Sequence, residues 1–301
     1  MLVIGGCGEL GSAIVRACSS SKYNFEAFAT YHSKPPPEGE GKVRWVRLDC
    51  GDHGAVEGVL ESVRPTAIIY AAVPNHGGAA GLGGAGVRKG IVDDVVFTAR
   101  RSNQSNSVRF LAISTDQVFD GKSASLYSET SAKNPTNPYA TYKSEMEDEL
   151  LALKLPDLVI CRTSLILTLD PPGKAISFVL SALKGQSQVT LYTDELRNMS
   201  WSGDLAQALL DLSFHEHSRQ LKGIVHLAAG EITDRYHLAL QLGQLYGMET
   251  DKVKPGLSAL SGTNRPLDLS MDTTLLKQWL PQGTRLQGAL QYLQQITSSK
   301  I

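Results

Sequence analysis

The stretch LVIGGCGELGSAIVRAC, residues 2–18, decides the fold. Leu2 to Ile4 is a short apolar run that reads as a strand, and Glu9 to Cys18 reads as a helix. Between them Gly5, Gly8 and Gly11 fall at the spacing G-x-x-G-x-x-G. Glycines at such a junction permit a tight turn and let the backbone approach a pyrophosphate. The anion then rests on the positive end of the helix. A glycine triplet alone is weak. This one gains weight because it sits at the first strand–helix junction of a chain that keeps alternating between the two. Gly5, Gly8, Glu9, Leu10 and Gly11 are therefore expected to form a phosphate-binding turn.

Outward from that turn, a second strand from Phe25 to Tyr31 runs into His32-Ser33-Lys34. Folds that prefer NAD place an acid near here to hold the ribose 2′-hydroxyl. This chain has none before Glu38. Ser33 and Lys34 instead supply a hydroxyl and an ammonium suited to a 2′-phosphate, so NADP(H) is expected ahead of NAD(H). The bland alternative is a solvated turn ahead of Pro35-Pro36-Pro37. A third strand, Val43 to Leu48, leads to Asp49, an acceptor for an adenine amino group. Asp52 reads as the N-cap of a helix from Gly54 to Val63. AIIYAA, residues 67–72, is apolar throughout, as a central parallel strand should be. Ala71 and Ala72 are small enough for a cofactor to lie against the sheet edge. The glycine-rich run from His76 to Gly90 reads as a surface connection, with a loop over the site as the alternative. A helix from about Ile91 to Arg101 follows.

The chemistry concentrates in the next segment. Val108 to Ser114 reads as a buried strand that ends at Thr115 and Asp116. A helix begins near Tyr139, after the helix-hostile Asn-Pro-Thr-Asn-Pro of residues 134–138. Tyr139 and Lys143 share one helix face at that spacing. Tyrosine ordinarily titrates near about pH 10, and a fixed positive charge favours the phenolate. With the Thr115 hydroxyl at the strand end, the three form a kit for moving a proton on or off oxygen while a hydride moves at carbon. Taken alone, the Tyr/Lys pair reads more readily as an ordinary solvated helix pair, since the spacing recurs by chance in many proteins.

The 301 residues are 42% hydrophobic and 20% charged with a formal net charge of −1, which leaves no footprint for nucleic acid or an anionic membrane. No apolar run approaches the roughly 20 residues of a membrane helix, and with a strand and glycine turn directly after Met1 no signal peptide is expected. Cys7, Cys18, Cys50 and Cys161 are scattered without metal-like spacing, so reduced thiols, no metal and a cytoplasmic location are expected. After a sixth strand, Leu158 to Arg162, and Thr163-Ser164, the alternation loosens. Helices are expected at Lys174 to Lys184, Asp204 to Leu212 and Asp234 to Tyr246, with strands at Val189 to Tyr192 and Gly223 to Leu227. Two short helices close the chain. The expected architecture is α/β: a Rossmann-type, doubly wound parallel sheet with a smaller C-terminal lobe. Residues 1–165, with contributions from about 202–228, would bind NADP. Residues 166–301 would form an interleaved substrate-binding lobe over the strand ends.

The segments GGCGELG, LDCGD, STDQVFDG, YSETSAKNPTNPYATYKSEME, CRTS and NRPLDLSMDTTLL occur in this order along nearly the whole chain. Together they resemble the extended short-chain dehydrogenase/reductases, and within these the dTDP-4-dehydrorhamnose reductase (RmlD-like) family. The resemblance implies Thr115, Tyr139 and Lys143 as a catalytic triad, with Lys143 also holding the nicotinamide ribose. It places Asp116 and Gln117 beside the substrate. Ser164, Arg197, Trp201 and His76 are further candidates for the substrate side.

The chain departs from the family pattern in several places. Gln117 stands for a tyrosine, and Ala140 and Tyr142 stand for a glycine and a serine. Residues 73–86, VPNHGGAAGLGGAG, replace an acidic segment, Asp93-Asp94 fall where an asparagine is usual, and Met199 or Ser200 replaces a proline. The implied activity is NADP(H)-dependent reduction of a keto group on a nucleotide-linked sugar or related small molecule, with a possible homodimer. The alternative is a non-catalytic NADP-binding regulatory subunit resembling the β subunit of methionine adenosyltransferase. An NAD-dependent epimerase or dehydratase fits less well, because Ser33 and Lys34 point away from NAD.

Overall fold

The apolar runs become strands β1 (Leu2–Ile4), β2 (Ala27–Tyr31), β3 (Val43–Arg47), β4 (Ala67–Tyr70), β5 (Arg109–Thr115) and β6 (Leu158–Thr163). The computed structural model describes residues 1–36, 42–74, 85–104, 107–186, 189–262 and 265–299; Glu38 and His76 lie outside them. Helices α1 (Glu9–Ser19), α2 (His53–Val63), α3 (Ala85–Arg88), α4 (Asp94–Ser102) and α5 (Pro138–Ala152) alternate with these strands. Asp52 caps α2, its carboxylate accepting from the Ala55 amide at 3.0 Å. The end of the glycine-rich run is helical rather than loop, since α3 passes through a π-helical turn, Lys89–Asp93, straight into α4. Strand β2 begins at Ala27, later than expected, where its pairing with Val43 of β3 begins, and Phe25 stacks on Phe214 with ring centroids 4.4 Å apart.

Beyond β6 lie β7 (Ile166–Leu167), α6 (Lys174–Leu183), β8 (Thr190–Tyr192), β9 (Ser200–Trp201) and α7 (Ser202–Phe214). They are followed by β10 (Gly223–His226), α8 (Arg235–Tyr246), β11 (Lys254–Gly256), α9 (Thr274–Trp279) and α10 (Ala289–Ser298). Seven strands form one sheet in the order β10-β6-β5-β4-β1-β2-β3, and every neighbouring pair is parallel. The winding reverses between β1 and β4, and ligands of such sheets bind in the crevice outside the strand ends at that switch point.

Alternate residues of a strand face opposite sides. Val3 accordingly joins Ile14, Leu205 and Leu209 under α1 and α7, whereas Leu2 and Ile4 join Val56, Val95 and Met146 under α2, α4 and α5. This is a Rossmann-type, doubly wound α/β fold. Leu167, Ile176, Val179, Leu238, Leu242 and Leu293 build a separate apolar core for the C-terminal lobe. Two parallel two-stranded ribbons, β7 with β9 and β8 with β11, complete the lobe. No helix among the described residues is long and apolar enough to cross a membrane.

Candidate active site

Gly5 takes φ +88°, and its carbonyl accepts from the Gly8 amide at 3.0 Å, which closes the turn after β1. A Cβ on Gly5 would lie 2.7 Å from the Ala72 backbone, and one on Gly11 would lie 2.0 Å from the Gly5 carbonyl oxygen. Gly11 thus serves close packing of α1 on the turn, and it is not among the cavity-lining residues. Gly8 precedes α1 in extended conformation, and no side chain caps the helix. A cavity of about 1080 Å³ opens there, its wall including Gly8, Glu9 and Leu10. A second, of about 530 Å³, shares Gly8, Lys34 and Ala71 with it and adds Gly5, Ser33, Asp49 and Ala72. An uncapped helix N-terminus facing such a space fits a dinucleotide pyrophosphate. The Glu9 carboxylate turns toward the lobe, accepting from Thr168 Oγ1 at 3.1 Å and the Lys174 amide at 3.3 Å.

The larger cavity continues along Thr115, Asp116, Gln117, Tyr139 and Lys143. Asn137 caps α5, accepting from the Ala140 amide at 3.0 Å, and Pro138 occupies the first turn. Tyr139 and Lys143 therefore enter the cavity at the start of α5. Lys143 is buried, and its ammonium donates to the Ile113 carbonyl at 2.7 Å. Burial brings its pKa down to about 8, with Glu147 opposing the shift. Burial pushes the Tyr139 phenol up to about 12, and the Asp116 carboxylate adds to the effect. A phenol lowered by Lys143, the sequence expectation, is not what this geometry gives, because burial raises it first and the charge acting on it is the Asp116 carboxylate.

Asp116 gathers the polar groups of this wall. It accepts from Ser164 Oγ at 2.6 Å and from Thr115 Oγ1 at 3.2 Å, and Arg197 Nε lies 4.0 Å away. Burial raises its carboxyl pKa, while Arg197 and the two hydroxyls oppose that. No hydrogen bond joins Thr115 to Tyr139 among the described residues. Arg197 is held by the carbonyls of Leu196, Leu267 and Pro266 at 2.6–2.8 Å.

Residues 1–291 match the family described as the RmlD substrate binding domain. The chain belongs to that family. Among curated relatives, a dTDP-4-keto-6-deoxy-D-glucose reductase of Streptomyces niveus is 30% identical over 69% of this chain and 70% of its own. The methionine adenosyltransferase 2 subunit beta of Danio rerio is 22% identical over 92% and 84%. Among solved structures, a hypothetical dTDP-4-dehydrorhamnose reductase from Sulfolobus tokodaii superposes with TM-score 0.76 at 25% identity, covering 96% of this chain and 97% of that one. A Bacillus anthracis dTDP-4-dehydrorhamnose reductase in complex with NADP gives 0.77 at 19%, covering 99% and 98%. The dTDP-glucose 4,6-dehydratase DesIV of Streptomyces venezuelae, with NAD and TYD bound, gives 0.78 at 21%, covering 99% and 97%.

Within this RmlD-family fold most of the sequence-derived residues meet at one crevice, with two corrections. Trp201 is buried in the lobe core beside Tyr292, with ring centroids 4.8 Å apart, and does not line the cavity. Its indole packs into the lobe core, with the Nε1 N–H buried and without a partner among the described residues. Gly11 packs backbone on backbone, as described. Asp49 sits in the smaller cavity, 3.7 Å from His32 Nε2. The sequence reading missed Arg235 and Arg265, which line the larger cavity and flank the buried Glu195 carboxylate at 2.9 and 3.6 Å. Arg265 falls inside the NRPLDLSMDTTLL segment, so that match held the signal; Arg235 carried none.

Proposed function

We propose that this RmlD-family chain is an NADP(H)-dependent reductase of a keto group on a nucleotide-linked sugar, of the dTDP-4-dehydrorhamnose kind. One observation carries the reading. Thr115, Tyr139 and Lys143 open on the same cavity as the uncapped N-terminus of α1, with Arg197, Arg235 and Arg265 in its wall.

The bound dinucleotide would supply the hydride. Gly8 and the α1 N-terminus would hold its pyrophosphate, Ala71 and Ala72 its ring-bearing face, and Ser33 and Lys34 a 2′-phosphate. Tyr139, kept protonated by burial and by Asp116, would give its proton to the developing alkoxide. Lys143 would bind the nicotinamide ribose. The Thr115 hydroxyl, which donates to Asp116 in the structure, would rotate onto the substrate oxygen. The arginines from the lobe suit a diphosphate, since guanidinium pairs well with phosphate oxygens.

Purified protein should consume NADPH with dTDP-4-dehydrorhamnose and bind NADPH more tightly than NADH. Equal affinity for the two dinucleotides would remove the NADP assignment. A second reading rests on the Danio rerio relative, whose match spans more of this chain than the reductase of Streptomyces niveus does. In it the chain binds NADPH and regulates a partner without turnover. Tight NADPH binding with no turnover on a panel of keto sugars would favour it.

A further inference from the structure

Gln117 and Asn137 form the one side-chain amide pair among the described residues of the cavity wall, and their partners fix the orientation of both amides. Oxygen and nitrogen of an amide are told apart by the partners each must satisfy. Asn137 Oδ1 accepts from the Ala140 amide at 3.0 Å, because it caps α5, so its Nδ2 is the end left to donate. Nδ2 lies 3.1 Å from Gln117 Oε1. That contact makes Oε1 the acceptor and turns the two N–H donors of Gln117 Nε2 away from Asn137. Nε2 has no partner among the described residues, and Gln117 lines the cavity together with Thr115, Asp116 and Tyr139.

The backbone on each side is equally fixed. The Gln117 amide donates to Thr115 Oγ1 at 3.2 Å, and Asn137 precedes a proline in extended conformation, φ −144° and ψ 159°. We infer that Gln117 is a specificity-determining residue: it offers a donor-only amide, oriented by the helix cap Asn137, to an acceptor oxygen on the sugar next to the reacting carbonyl. The sugar is the part addressed because Gln117 stands two residues from Thr115 and lines the same cavity as Tyr139. The inference rests on the proposed reductase reading and deepens it. Asn137 would be a positioning residue, since the cap that starts the catalytic helix also sets which end of Gln117 the substrate meets.

The test is a double-mutant cycle on the NADPH-loaded protein with dTDP-4-dehydrorhamnose as probe. Gln117→Met keeps the length and removes the donors, and KM should rise by roughly tenfold, as expected for a lost hydrogen bond. Asn137→Asp keeps a good cap but replaces the donor that fixes Gln117. It should raise KM by a similar factor in the parent and leave KM unchanged in the Gln117→Met background. The affinity for NADPH and the melting temperature should hold in all three variants. Gln117→Met at the parent KM overturns the proposal. So does an Asn137→Asp effect that persists undiminished in the Gln117→Met background, because Asn137 would then act by its charge. If the parent itself leaves the keto sugar untouched, the reductase reading falls and this inference falls with it.

Discussion

A half-buried phenol whose charged neighbour is a carboxylate stays protonated, the state a general acid needs. Tyr139 is in that position, held up to about 12 by burial and then by Asp116, so at neutral pH it is poised to give a proton rather than take one. Tyr139→Phe removes only the oxygen. Reductase rate should fall by roughly 10²–10⁴ with NADPH affinity at the parent value, and a variant that kept the parent rate would end the assignment. Lys143 gives the pH dependence. Its pKa falls to about 8 in the free protein, so the ammonium is present below that value and lost above it. NADPH affinity should therefore be full below about pH 8 and weaken as pH rises beyond. The same depression costs stability at neutral pH, a cost relieved between about 8 and the model-compound value of roughly 10.4. Titrating NADPH from pH 7 to 9, as an order-of-magnitude window around that value, decides it; a flat profile would remove Lys143 from the cofactor site. The Tyr139–Lys143 spacing was visible in the sequence because a helix makes it a local property. The Asp116–Ser164 bond spans 48 positions and joins two strand ends, so only the fold brings the pair together; the burial that does most to raise the phenol is likewise set by the fold.

Helix α1 separates two jobs that the glycine spacing merges. Gly8 has ordinary extended backbone, and a Cβ there would come no closer than 3.3 Å to the Gly5 carbonyl. Gly11 has no such room, with the same carbonyl 2.0 Å from a Cβ. Gly8→Val should thus keep the melting temperature within a few degrees while abolishing NADPH binding, because the branched side chain enters the pyrophosphate space. Gly11→Ala should do the reverse first, forcing α1 off the turn at a cost of about 1–3 kcal/mol and lowering the melting temperature by several degrees. Thermal melts beside NADPH fluorescence titrations separate the two; if both variants lose only binding, the packing role of Gly11 is wrong. Elements of this length were legible because four or more residues show a period. Strands β7, β9 and β11, of two or three residues, show none and lack the glycine turn that marked equally short β1, and each pairs with a strand of the lobe.

Across the whole molecule, the sheet was readable from apolar runs, but what fastens its far edge was not. Arg109 opens β5 with no exposed surface at all, in a strand the sequence presents as buried. Its guanidinium donates to Asp157 at 2.6 Å and to the carbonyls of Leu212, Ser218, Arg219 and Leu221 at 2.8–3.2 Å. It thereby ties the crossover from α7 to β10 beneath β5 and β6, and it is not among the cavity-lining residues. A single sequence cannot distinguish this arginine from one at a solvated strand end, since the acceptors come mostly from backbone 103 to 112 positions away. Arg109→Ala would leave Asp157 with Arg219 alone and a set of buried carbonyls without their donor, and removing one partner of a buried pair costs about 3–5 kcal/mol. Against a total stability of about 5–15 kcal/mol, that is a large fraction. Urea unfolding should show the midpoint falling sharply with an unchanged slope, while protein that remains folded binds NADPH with the parent's affinity. A midpoint within experimental scatter of the parent would mean the crossover is held by apolar packing alone. Reduced NADPH affinity in the folded protein would mean that the far edge of the sheet is coupled to the glycine turn.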